Sequence, residues 1–289
     1  MIPYKRYYNL TKNEIIKISG KDKCDFLQGI ISNDIKNVEN GKPIYSSILS
    51  PQGRFLYDFF VIKNQDSFLL ECRKVHSFEI LKKFNMHKLR SDVNFELQNN
   101  FEILLLNIED IDIVLESLKN KMHFSDPRFP KLLSRIYIKG SDVEKIINSS
   151  RLKEISNQDY KNFRLKYFIP DFTEDAEIGK SLLMEMRFDK LNGISWDKGC
   201  YMGQEVTARM KYRNIVKKQL FGVKINFNSF TDNDIKVEGE SIGKLMSHNK
   251  EYGISFINLK KLDEFSFRKI YSGDSTINLE IPWWAKNSN

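Results

Sequence analysis

The densest run of chemically capable residues is Lys198-Gly199-Cys200-Tyr201-Met202-Gly203-Gln204-Glu205-Val206-Thr207-Ala208-Arg209. A thiol between two glycines, with a lysine before it and good helix formers after it, suits a nucleophile or a soft metal ligand on a tight loop. Glycine lets the backbone turn sharply or approach a partner closely. A helix starting near Gly203 would place its positive end close to Cys200, and Lys198 would add a second positive charge. Both favour thiolate over thiol. Glu205 and Arg209 are four apart and can pair on one helix face. The plain alternative is a buried, inert cysteine in a strand-to-helix turn, with Tyr201 packed in the core. The crowding of Lys, Gly, Cys, Gly, Gln and Glu into so short a run favours a functional Cys200.

The elements that must hold this loop are mixed. Glu14 to Gly20 reads as a strand, and Asp22 can cap a helix through Cys24 to Ile30. Tyr45 to Leu49 and Phe55 to Ile62 are β-prone runs separated by Ser50-Pro51-Gln52-Gly53-Arg54, a hairpin signal. Ser67 to Cys72 adds a third strand, and Val75 to Asn85 has helical spacing. Asp126 to Pro130 is a turn, with short strand and helix signals on either side of it. There is no βαβ rhythm and no GxGxxG turn, so the class is α+β rather than a nucleotide-binding parallel sheet. After residue 215 the texture changes: Lys218 to Phe227, Gly239 to Met246, Tyr252 to Phe256 and Ser275 to Ile281 predict a small all-β barrel or sandwich. Trp283-Trp284 reads as packing of a terminal strand.

The 289 residues suggest about two domains. Hydrophobic residues make up 41%, which excludes wholesale disorder. The +8 charge permits an RNA or phosphate-rich partner but is widely spread, and Ile-, Lys- and Asn-rich usage fits an AT-rich genome. Three cysteines and four histidines stand at no metal-ligand spacing, so a preformed metal site is not expected. The N-terminus shows neither a secretory signal nor an Arg/Ser-rich leader, and no stretch is apolar enough to span a membrane. A cytoplasmic bacterial protein, monomeric and off the membrane, is the expectation.

Lys198 to Glu205 resembles the K-G-C-[YF]-x-G-Q-E motif of the YgfZ-type folate-binding proteins, relatives of the glycine-cleavage aminomethyltransferase that help mature iron–sulfur enzymes. Phe26-Leu27-Gln28-Gly29 with Ser32-Asn33-Asp34 is similar to the family's F-L-Q-G-x-x-[ST]-N-D segment. Ser50 to Asp58 is similar to its P-Q-G-R-x-x-x-D hairpin, and Lys88-Leu89-Arg90-Ser91-Asp92-Val93 to its K-L-R-x-K-V stretch, with Asp92 in place of lysine. Phe188 to Trp196 and Gly243-Lys244-Leu245 also fit in order, so the resemblance covers nearly the whole chain.

The resemblance implies a ring of two α+β subdomains around a central opening, residues 1–215 with a division near 100, followed by an antiparallel β-barrel over 216–289. It implies tetrahydrofolate or a derivative in the opening, with Gln28, Asn33, Asp34, Arg54 and Arg90 as candidate contacts. Cys200 and Lys198 would be the working pair, supported by Gly199, Tyr201, Gly203, Gln204, Glu205 and Arg209. One position departs. Arg164 to Pro170 aligns with R-[IL]-E-x-G-[IM]-P, but Lys166 stands for the acid expected to bind the pterin edge, and Phe168 for the glycine. A lysine only donates where a carboxylate would accept.

The function so implied is an accessory role in assembling or repairing iron–sulfur clusters. Its partners would be cluster-assembly proteins and client enzymes, radical tRNA-modifying enzymes among them, which gives an indirect link to tRNA. No N-A-S-N-type catalytic segment is present, which disfavours the alternative of a folate-dependent aminomethyl transferase using Asp34 or Asp58. A tRNA-binding module is the third reading, and it predicts steep salt dependence.

Overall fold

The structure is a computed structural model and describes residues 2, 5–112, 122–229, 232–265 and 268–286. It separates into two compact units. The first takes Met1–Ser50, Leu56–Asn157 and Leu191–Met202; the second takes Pro51–Phe55, Gln158–Lys190 and Gly203–Asn289.

The first unit carries strands β1 (Arg6–Asn9), β2 (Asn13–Ser19), β3 (Ile44–Leu49), β4 (Phe55–Asn64), β5 (Ser67–Arg73), β6 (Asn94–Gln98), β7 (Phe101–Asn107), β8 (Met122–Ser125), β9 (Leu133–Lys139) and β10 (Lys153–Glu154). Its helices are α1 (Lys23–Ile30), α2 (Lys74–Lys88) and α3 (Val143–Ser150). Two five-stranded sheets result, ordered β3-β4-β5-β2-β6 and β10-β1-β7-β9-β8. The hairpin read at Pro51 to Arg54 joins β3 to β4, and β4 pairs with β5 from Phe59↔Cys72 to Asn64↔Ser67. Apolar residues crowd both faces of these strands, so the run Phe55-Leu56-Tyr57 and Phe59-Phe60-Val61-Ile62 is buried throughout. Helix α1 lays Leu27 and Ile30 on the first sheet, and α2 lays Ile80 and Phe84 there.

Asp22 does not cap α1. Its Oδ2 accepts from the Asp92 amide at 2.8 Å, and its own amide donates to the Asp92 carbonyl, so it ties the helix start to the segment before β6. The turn at Asp126 to Pro130 is present, but it is no solvated loop. Asp126 is fully buried between Arg128 (2.9 Å) and Arg135 (3.2 Å).

The second unit holds α4 (Asn157–Lys166), α5 (Phe172–Asp175), α6 (Gln204–Arg213) and α7 (Leu259–Glu264). Its strands are β11 (Lys218–Asn226), β12 (Asp234–Val237), β13 (Glu240–His248), β14 (Tyr252–Asn258), β15 (Ile270–Ser272) and β16 (Ser275–Glu280). The six strands close into an antiparallel barrel in the order β11-β14-β13-β12-β15-β16. The four runs expected after residue 215 are β11, β13, β14 and β16. Strands β12 and β15 are additions too short to show a period.

Arg164 on α4 is buried and binds Asp175 (3.1 Å), Glu174 (2.7 Å) and the Ser247 hydroxyl (3.0 Å), fastening α4 and α5 to β13. Trp283 and Trp284 do not extend a strand. They lie in a 3-10 turn and donate their indole N–H groups to the carbonyls of Tyr167 (3.0 Å) and Phe168 (2.9 Å). Phe168 itself sits at φ 53°, which explains a glycine preference at that position. Its ring lies over Gly222, where a Cβ would come within 2.4 Å of it, so the aromatic side chain is accommodated by the absence of one across the way.

Candidate functional site

In the first unit the loop bearing Cys200 is pinned to α1. Lys198 is 7% exposed and donates from Nζ to the carbonyls of Ile31 (2.7 Å) and Asn33 (2.9 Å). The Met202 amide donates to the Gly29 carbonyl (3.0 Å), so both ends of Lys198 to Met202 are held. Tyr201 is buried with its ring 4.9 Å from the Lys198 ammonium. Between these anchors Cys200 is exposed and carries a free thiol, and Gly199 is exposed with nothing within 4 Å of where a Cβ would stand.

The Asn33 turn below the loop is equally fixed. Asn33 donates from Nδ2 to the carbonyls of Tyr45 and Asn192 (both 2.8 Å), and its Oδ1 accepts from the Asp34 amide. Asp34 caps the short turn after it, accepting from the Lys36 amide (2.9 Å), and Gln28 accepts from the Ile35 amide (3.0 Å). Sequence reasoning missed Ser46 and gave Ser32 a place in the motif but no role. Ser32 Oγ donates to the Gly193 carbonyl (2.7 Å), and Ser46 Oγ accepts from the Asn33 amide (3.0 Å). No local spacing announces either, because their partners are set by the fold.

Burial pushes the Lys198 ammonium down to about 8, with the Asp34 carboxylate pulling the other way. Its Nζ spends two donors on the Ile31 and Asn33 carbonyls and so holds that end of the loop.

In the second unit Gly203 is the N-cap of α6 at φ 80°, and Gly53 lies at φ 74°. A Cβ on Gly53 would come within 2.8 Å of the Gly203 carbonyl oxygen and the Val206 Cβ. The P-Q-G-R turn and the start of α6 therefore approach to a distance only glycine allows. Arg54 donates to the Lys180 carbonyl (2.8 Å). Gln204 is half-buried at the start of α6, while Glu205 and Arg209 are exposed and form no ion pair with each other.

Of the residues expected around folate, Gln28, Asn33, Asp34 and Arg90 belong to the first unit, and Arg54 and Lys166 to the second. Gln28, Asn33 and Asp34 are engaged within the first unit as described, and Arg90 is exposed beyond the end of α2. Lys166 is exposed at the last position of α4, a cation where the pterin edge calls for an acceptor. The acids named for one-carbon transfer are likewise tied: Asp34 to its cap and Asp58 to the Tyr45 hydroxyl at 2.6 Å. Among the described residues no group of His, Cys, Asp and Glu could hold a metal ion.

The fold is that of the glycine cleavage system aminomethyltransferase. The Bartonella henselae enzyme superposes with a TM-score of 0.79 over 97% of this chain and 86% of that one, at 10% identity. No protein-family profile matches the chain. Its homologues are mitochondrial iron–sulfur cluster assembly factors named IBA57. The Neurospora crassa protein is 28% identical over 85% of this chain, the mouse protein 26% over 75%, and the human protein 23% over 96%. The chain spans 60% of the Neurospora crassa relative, 66% of the mouse one and 85% of the human one. The expected bacterial cytoplasmic location does not stand beside these mitochondrial proteins of eukaryotes. It rested on the lack of a leader, and a lack is not a signal of compartment.

Proposed function

We propose that this chain is an iron–sulfur cluster assembly factor, and that Cys200 is the thiol that meets a cluster, a sulfur species or a partner's thiol. The observation that carries the reading is an exposed cysteine on a loop whose two ends are bonded to α1. Space stays open beside Cys200, since nothing lies within 4 Å of where a Cβ on Gly199 would stand. A thiolate is a soft ligand suited to iron and sulfide. The names of the homologues support the reading. Its partners are cluster-assembly proteins and cluster-dependent clients, radical tRNA-modifying enzymes included.

Cys200→Ala is expected to abolish maturation of a cluster-dependent enzyme in cells that rely on this chain. Its unfolding free energy should stay within about 0.5 kcal/mol, because the side chain is exposed. Wild-type maturation by Cys200→Ala would remove the thiol from the function.

Folate has no step in this reading. Calorimetric titration with tetrahydrofolate is expected to show no binding to the wild type and recovery in Lys166→Glu. Micromolar binding to the wild type would mean that the pterin is held by other groups.

A further inference from the structure

The second unit holds a cavity of about 690 Å³ to which the cluster-assembly reading gives no part. Its walls come from the segment 177–185, the start of β11, strands β12, β13 and β14, and the first turn of α7. All of these belong to the second unit, so the cavity forms without a partner. A volume of that size suits a small molecule.

Glu185 lines the cavity with a side chain only 8% exposed. Among the described residues no hydrogen bond reaches its carboxylate. Lys218, which lines the cavity too, stands 3.8 Å away, beyond hydrogen-bond distance. A carboxylate taken out of water is normally supplied with donors by the fold. Burial accordingly holds Glu185 above the usual carboxylate range, against the pull of Lys218 and Arg54.

The other charges of the lining divide into matched and unmatched. Glu177 is paired with Lys180 (3.0 Å), and Asp234 accepts from the Ser241 hydroxyl (2.5 Å). Lys261 is engaged by Glu240 (2.6 Å). The ammonium groups of Lys217 and Lys244 have no hydrogen bond or ion pair among the described residues. Lys244 and Met246 are two apart on β13 and share its outward side, and Phe256 on β14 is the cross-strand partner of Lys244. An apolar strip therefore adjoins an unmatched cation in the same cavity.

These groups select the ligand. A simple amine would answer Glu185 and leave the lysines unmatched. A fatty acid would answer the lysines and leave Glu185 without donors, and a phosphate would crowd further negative charge beside it. One molecule with both charges on an apolar body answers all of them.

We propose that this cavity binds a small zwitterion, its ammonium received by Glu185, its carboxylate by Lys217 and Lys244, and its aliphatic body by Met246 and Phe256. The site is independent of the cluster-assembly reading. The test labels the methionine methyl groups of the whole chain for NMR and titrates the ω-amino acids from aminobutanoate to aminooctanoate, with hexylamine and hexanoate as single-charge probes. The Met246 methyl is expected to shift saturably with at least one member of the series, while those of Met86 and Met202 in the first unit stay still. That member should bind about ten-fold tighter than either single-charge probe, the scale of one hydrogen bond to a charged group. Glu185→Gln and Lys244→Ala, each with unchanged Tm, should weaken it about ten-fold. A Met246 signal that stays still across the series, a single-charge probe that binds as tightly as the zwitterion, or undiminished affinity in either variant would overturn the proposal.

Discussion

Arg135→Met is expected to destabilise the first unit by about 3–5 kcal/mol, the cost of leaving a buried ion pair without one partner. Arg135 lies on β9 with its guanidinium 4.0 Å from the centre of the Phe60 ring. It donates to Glu71 on β5 at 2.8 Å and 3.2 Å and to Asp126 at 3.2 Å. Glu71 also accepts from Tyr137 and Asn13, and Asp126 also accepts three bonds from Arg128. Two buried carboxylates are thus balanced by two buried guanidiniums, and the cluster fastens one sheet to the other. Burial alone would raise Asp126, but Arg128 and Arg135 hold it below the usual carboxylate range. Without Arg135, Glu71 loses the guanidinium that donates to both of its carboxylate oxygens. Urea unfolding at pH 8 should show the deficit, and Arg135→Met/Glu71→Gln should recover most of the loss. An Arg135→Met protein as stable as the wild type at pH 8 would show that water reaches the cluster.

How much of this was legible in the sequence depends on the range of the interactions. The Pro51 to Arg54 turn, helix α1 and four barrel strands announce themselves through neighbours within a few residues, and the fold class follows from their order. Strands β12 and β15 do not, since four and three residues cannot display an alternation. Glu71 and Arg135 are 64 residues apart, and Lys198 is 167 from the carbonyl it clamps, so no period joins them. That distance is why the sequence shows Lys198 as a charge beside a thiol and does not show the carbonyls it holds. The outward face of α2 is a different case. Val75, Phe78, Met86 and Leu89 stand three, eight and three residues apart in the chain, and outward apolar residues on a helix are indistinguishable from its core face until burial is known. Cys200 stands out in the sequence because its motif is local.

Lys198→Met is expected to cost about 2–4 kcal/mol, because it strands the carbonyls of Ile31 and Asn33 without donors at a buried site. The pH dependence separates the clamp from a charge-supplying lysine. The ordinary value is 10.5 and the folded one about 8, so between them the unfolded chain binds more protons than the folded one. Stability from this group therefore rises with pH across that window and falls away as pH drops through about 8. The gap between wild type and Lys198→Met should be wider at pH 10 than at pH 7. A lysine whose positive charge supported the fold would have its pKa raised and show the reverse. The same variant tests the site. Cys200 is already exposed, so its alkylation rate should change little, while maturation should drop because the loop is no longer fixed at its N-terminal end. A drop in maturation with an unchanged alkylation rate makes Lys198 a positioning residue. A fall in the alkylation rate at pH 7 that tracks the lost charge would instead return it to activating the thiol.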